Sequence, residues 1–354
     1  MPFGFLGCWS NYNLVEEQVR RIWSFHLNAL GVGTVMGLCL LATQLQGQQK
    51  VGTARQRLTK SQFDQLFKEI SNWARWGKED QLGTLNLITA ERRREAAELV
   101  KTGISVSLAR NLNTQRAIDN PTPFLDKMAL GVDGAFNMDT YTVNFHGVAF
   151  SHFDALSHTY YEGHLYNGYP DTDVTSSGAR VLGTAQYRNG IFTRGVLVDI
   201  PWLRGLPYLD TNASITGSDL DSWEAKTGVH IHSGDAVLIR TGRWALRDAK
   251  GPWDISRASA GLDPSAIVWL HKRDAAFLVS DASHDAIPSA VEGVDWPIHI
   301  LAIVALGMPL ADQCNLEEIA RESQSRHGYT FLLTLAPVRI ADGTGSLVNP
   351  IATF

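Results

Sequence analysis

From Ile104 onward the chain carries short runs rich in branched and aromatic residues: ISVSLAR, YTVNFHGVAFSHF, RGVLVDI, DAVLIRTG, AAFLVSD and YTFLLTLAPVRI. Such runs read as strands, because branched and aromatic side chains fit a pleated, half-buried surface. Stretches with helical periodicity intervene at residues 216–227, 264–273 and 296–306. No internal repeat, low-complexity tract or long linker divides residues 50–354. The expected architecture of residues 51–354 is therefore a single compact α/β domain, with a central mixed β-sheet or β-barrel-like core and peripheral helices.

Two helices are expected ahead of the first strand. Phe63, Leu66, Phe67 and Ile70 recur at three- and four-residue spacing over residues 59–72, with Ser61 as a candidate N-cap. Thr89 is placed to cap a second helix and Gly103 to end it. Upstream lies a different kind of segment. Between Ile22 and Gln49 there is no Asp, Glu, Lys or Arg, and Arg20-Arg21 sits just before. A basic pair, an apolar run and a polar QGQQK tail describe an export signal or a membrane anchor, so residues 1–50 are set apart from the domain. The expected location is exported or membrane-anchored through residues 22–49, and cytoplasmic if that segment does no targeting.

Composition removes several function classes. The formal net charge of −5 comes with no Lys/Arg block, which argues against nucleic acid as a partner. The three cysteines, Cys8, Cys39 and Cys314, make neither a disulfide framework nor a CxxC zinc site. A metal here has to be held by histidines and carboxylates.

The stretch FHGVAFSHFDALSHTYYEGHLYNGYP, residues 145–170, supplies such groups: His146, His152, Asp154, His158 and His164. Residues of equal parity share one face of a strand, so His152 and Asp154 point the same way. His158, four residues further on, returns over the same place if the chain turns helically there. His146 also has the right parity, but six residues of straight strand span about 20 Å. It reaches the others only if the chain folds back, and Gly147 is where a bulge or turn is expected. Such sets suit Zn²⁺, Mn²⁺ or Fe²⁺. His164 reads as a turn residue, and His230 and His232 of VHIHSGD as ordinary strand residues. Tyr160, Tyr161, Tyr166 and Tyr169, with Trp73 and Trp76, read equally well as pocket lining and as core packing. Asp281 reads equally as a strand-end functional group and as a structural turn, and His284 reads more readily as an ordinary residue than as one that supports a ligand.

SHFDALSH (residues 151–158) resembles the second half of the HxGTHxDxPxH signature of the cyclase-like metal-dependent hydrolases, the family of kynurenine formamidase, isatin hydrolase and a trans-dienelactone hydrolase. RWGKEDQLGTLNLIT (75–89), YEGHLYNGYP (161–170), VSDASHDAIPS (279–289) and IHILAIVALGMPLADQCNLEEIA (298–320) are similar to further stretches of its longer members. The resemblance implies a cyclase-like fold, a homodimer and hydrolysis of a small cyclic or aromatic amide, imide, arylformamide or lactone. It implies His152 and Asp154 as metal ligands, His158 as the catalytic acid/base, and His299 and Asp312 as further ligands. The chain departs from the signature at Val148, where the family places its first ligand histidine, leaving His146 as the nearest candidate. It departs again at Leu156, where the signature has proline. A single ion, Zn or Mn, is expected.

Two other classes fit part of the pattern. An Fe(II)/2-oxoglutarate oxygenase uses HxD with a distal histidine and an arginine about ten residues later, and His230 with Arg240 matches that template. That template leaves His158 and the four other family-like stretches unexplained. A non-catalytic metal-binding protein of the same fold is the third reading.

Overall fold

The computed structural model describes residues 57–354; the segment read as an export signal or anchor lies outside the described residues. Among the described residues, no helix is long and apolar enough to cross a membrane.

A nine-stranded mixed sheet, curled into a half-barrel, forms the centre. Its order is Ser105–Ser107, Ile351–Thr353, Thr330–Leu335, Ile191–Asp199, Ala236–Arg240, Phe277–Ser280, Leu310–Asp312, His152–Asp154 and Gly345–Leu347. The four strands from Ile191–Asp199 to Leu310–Asp312 run parallel. Parallel neighbours need long crossovers, and the helical stretches read from sequence supply them: Gly217–Thr227, Pro264–Lys272 and the helix beginning at Pro297–His299. Ala236–Arg240 and Phe277–Ser280 are buried throughout. That is why they read as unbroken apolar runs rather than alternating ones.

The strand His152–Asp154 lies antiparallel to Leu310–Asp312 on one side and Gly345–Leu347 on the other. Its register places His152 opposite Asp312. Phe153 points to the opposite face, its ring 4.9 Å from that of Tyr187 and 6.0 Å from that of Phe277. One face of this three-residue strand thus anchors in the core and the other is polar, as the two-residue period requires.

Three local expectations are corrected. The first helix is Lys60–Ile70, and its N-cap is Thr59 rather than Ser61. Thr59 accepts from Gln62 N while the Gln62 side chain accepts from Thr59 N; Asp64, three residues after Ser61, is instead taken by Lys60 and Tyr161. The second helix, capped by Thr89 as expected, ends at Ala97, well before Gly103. The run YTVNFHGVAFSHF is not one strand. Its start closes the hairpin Leu125–Val132/Phe136–Thr142, the chain bends through residues 146–150, and its end forms His152–Asp154.

The family-like stretches at residues 75–89 and 161–170 are scaffold. Asp80 of WGKED accepts from the backbone N–H groups of Leu82 and Gly83, from Asn86 and from the Tyr166 hydroxyl. The Asn167 side chain accepts from Ala74 N and donates to the carbonyls of Gly77, Lys78 and Asp80. Asn72 and Trp73 donate to Leu306 O and Val304 O, at the end of the helix that carries His299. Carbonyls in the last turn of a helix need such partners. Gly83 packs so closely there that a Cβ would lie 1.9 Å from Gly307 O.

Candidate metal centre

The bend at residues 146–150 resolves the question of reach. It brings His146 back beside Asp154, with Nδ1 3.0 Å from Oδ1. Gly147 is not itself strained; the reversal is spread over the five residues. His152 Nε2 lies 3.6 Å from the same oxygen. On the other oxygen, Asp154 Oδ2 has His299 Nε2 at 3.7 Å and His158 Nε2 at 4.0 Å. Asp312 Oδ2 lies 3.6 Å from His299 Nε2. Potential ligand atoms thus fall into two groups, His146/His152/Asp154 and Asp154/His299/Asp312, which share Asp154.

Hydrogen bonds behind the rings select which nitrogen faces inward. His152 Nδ1 lies 2.8 Å from Phe150 O, a partner that can only accept, so Nδ1 carries the proton and Nε2 keeps its lone pair. His299 Nδ1 lies 2.5 Å from Asp285 Oδ2, and Asp285 also accepts from the backbone N–H groups of Ile298 and His299. Carboxylate backing of this kind fixes ring orientation in metal-binding histidines. His146 reverses the arrangement: Nε2 meets Thr344 Oγ1 at 3.2 Å and Nδ1 faces inward.

Asp154 is fully buried, and neither of its oxygens receives a hydrogen bond. Buried polar atoms are normally satisfied, so a bare carboxylate with four imidazole nitrogens within 4.0 Å calls for a cation. The residues fit a divalent ion. Burial would raise the Asp154 carboxyl, but His158, His152, His146 and His299 together hold it well below the usual carboxylate range. Burial opposes ionisation of Asp312 too, and His284 and His299 overcome it. His284, fully buried, sets Nε2 2.9 Å from Asp312 Oδ1, behind the site.

These groups open into a cavity of about 370 Å³. His158 stands at its wall, its ring stacked on that of His146 at 4.2 Å and 10°. Burial, reinforced by His146 and His299 against the pull of Asp154, brings His158 down to about 4. Val148, Tyr160 and Trp296 give the cavity an apolar rim, and the Trp296 ring meets His299 edge-on at 5.9 Å.

The aromatic residues left open by the sequence now separate. Tyr160 lines the cavity, whereas Tyr161 and Tyr166 spend their hydroxyls on Asp64 and Asp80, and Tyr169 and Trp73 pack against the core. Trp76 lies under Arg75. Asp281 is a structural cap, accepting from the backbone N–H groups of Thr241, Gly242 and Arg243. His164 is turn-bound, through Glu162 O, as expected. Sequence reading passed over Asp285, Trp296, Thr344 and Gly345. Only Asp285 left a trace, as the acid adjoining His284 in SHDAIPS.

The family model described as "Putative cyclase" matches residues 71–285. The chain belongs to the putative cyclase family. A solved structure titled a novel cyclase is similar to this cyclase-family chain at 30% identity, with a TM-score of 0.72, covering 80% of this chain and 99% of that one. Isatin hydrolase A from Ralstonia solanacearum shares the fold at 21% identity and a TM-score of 0.50, covering 70% of this chain and 91% of its own. An isatin hydrolase bound to the product analogue thioisatinate does so at 19% identity and 0.51, covering 75% and 98%. None of the curated proteins compared matches the cyclase-family chain.

Proposed function

We propose that this protein is a metal-dependent hydrolase that cleaves an amide, imide or lactone of a small cyclic or aromatic substrate. The observation that carries the reading is the bare, buried Asp154 carboxylate ringed by four histidine nitrogens at the floor of a cavity. His146, His152, Asp154, His299 and Asp312 would hold a divalent ion, Zn or Mn. Such an ion polarises a carbonyl and brings the pKa of water towards about 7.

The side chains do the rest. Asp285 and Phe150 O take the Nδ1 atoms of His299 and His152 respectively, and so aim the Nε2 atoms inward. His158 is neutral at pH 7, so it can take a proton from the attacking water and return it to the leaving nitrogen or oxygen. Val148, Tyr160 and Trp296 offer an apolar wall to a flat ring. The oxygenase reading loses its anchor. Arg240 is paired with Asp199 at 2.9 Å and Glu317 at 2.7 Å, and neither it nor His230 lines the cavity.

The test is metal analysis of purified protein, then turnover of arylformamides, cyclic imides and lactones with that metal restored. The expected result is hydrolysis without co-substrate, lowered about 10²–10⁴-fold in His158→Ala with metal retained. Succinate release from 2-oxoglutarate would overturn the hydrolase reading. Metal without turnover of any substrate would favour the non-catalytic reading.

We further propose a homodimer, supported by the exposed apolar hairpin Leu125–Val132/Phe136–Thr142, and export or anchoring through residues 22–49, supported by sequence alone.

A further inference from the structure

We infer that Arg243 is the positioning residue for His146, acting through the carbonyl of Val148. The inference rests on the reading of His146 as a metal ligand. For His146 to reach Asp154 the chain must reverse at residues 146–150, and something has to hold that reversal. Among the described residues, the backbone from His146 to Ala149 makes a single hydrogen bond: Val148 O accepts from Arg243 Nη2 at 2.5 Å. The His146 ring is held by its neighbours, Thr344 at Nε2 and His158 by stacking. Those contacts orient the ring without fixing its Cα. Val148 is also where the family signature has its first ligand histidine, so the bond falls on the residue by which this chain departs from it.

Arg243 is itself immobilised. It is 3% exposed and opens the helix Arg243–Lys250 directly after the strand Ala236–Arg240. Its backbone N–H donates to Asp281 Oδ2 and Thr241 Oγ1. Its guanidinium lies 3.8 Å from the ring centroid of Trp244, and Asp119 Oδ2 is 3.9 Å from Nη2. Asp119 is already taken by Arg247, and Arg243 Nε and Nη1 have no partner. Burying a guanidinium with so few bonds is unfavourable for stability. Its one strong contact is the Val148 carbonyl, two residues from the ligand, which ties the bend to the rigid end of the parallel sheet.

The experiment measures metal affinity by chelator competition, and the visible spectrum of the Co²⁺-loaded protein, for Arg243→Met, Arg243→Lys, His146→Ala and the His146→Ala/Arg243→Met double variant. Arg243→Met is expected to weaken affinity about 10–100-fold, the range for residues that orient a ligand, and to change the Co²⁺ spectrum. Arg243→Lys should recover part of the loss, and the double variant should bind no more weakly than His146→Ala alone. Thermal melts of the metal-free variants check folding; if Arg243→Met does not fold, the Arg243→Lys spectrum carries the test. Parent-like affinity and spectrum in Arg243→Met, with His146→Ala weakened, would overturn the inference alone. Multiplied losses in the double variant would do the same. Unchanged affinity in His146→Ala would instead overturn the ligand reading beneath it.

Discussion

At Gly345 a Cβ would sit 2.4 Å from Phe153 O and 2.6 Å from His146 Cε1. The backbone there is ordinary, so the glycine serves close approach rather than an unusual turn. It lets the strand Gly345–Leu347 lie against His152–Asp154 while the His146 ring passes over it. Gly345→Ala is expected to destabilise the protein by about 1–3 kcal/mol, the usual cost of overpacking, and to weaken metal binding by displacing His146. A thermal melt and a metal titration read the two effects separately; parent-like values in both would show that the strand pair yields without cost.

Among the elements, the strand His152–Asp154 and the helix carrying His299 divide the work. The strand delivers two ligand candidates by parity alone. The helix starts at Pro297–His299 and continues as a π-helix over Ile300–Leu306, with His299 at the junction. Wide turns of this kind are rare and recur at functional sites. Elsewhere the helix Gly217–Thr227 shows how local sequence secures a crossover. Thr216 and Asp219 cap it reciprocally, and Arg204 pairs with Asp219. Burial would raise the Asp219 carboxyl, but Thr216 and Arg204 hold it below its ordinary value. Its contribution is therefore present above the unfolded value of about 3.9 and is lost as pH falls through the lowered folded value. Asp219→Ala should cost about 1 kcal/mol at neutral pH, and the difference from the parent should shrink below about pH 4. Denaturation curves across that range check it, and a difference that grew on acidification would contradict the sign.

For the whole molecule, the hairpin Leu125–Val132/Phe136–Thr142 is the part that the domain does not explain. Leu130 is 75% exposed, Tyr141 63% and Phe136 62%. A two-stranded hairpin alone is marginal in water, and large exposed apolar patches mark association sites. If a second copy covers it, Leu130→Lys/Phe136→Lys should shift the protein from dimer to monomer in sedimentation experiments and leave the fold intact. A parent protein already monomeric at high concentration would remove that role.

The α/β class, the crossover helices and the pairing of His152 with Asp154 were legible in the chain. Each follows from a period of about two or 3.6 residues, and such periods act over a few neighbours. The family-like stretches at residues 75–89 and 161–170 were visible as a pattern, but not as scaffold; that role lies in contacts such as Asn167 with residues 77–80, about ninety positions apart. Sequence alone left His146 conditional on a bend, and left Trp73 and the tyrosines between pocket and core. Tertiary structure decided these, because the bend is held from outside by Arg243 and the ring by Thr344 and Gly345. It also joined Asp285 to His299 and set Asp312 across from His152. Local periodicity specifies which face a side chain takes; only the packed sheet specifies which side chains from distant strands meet there.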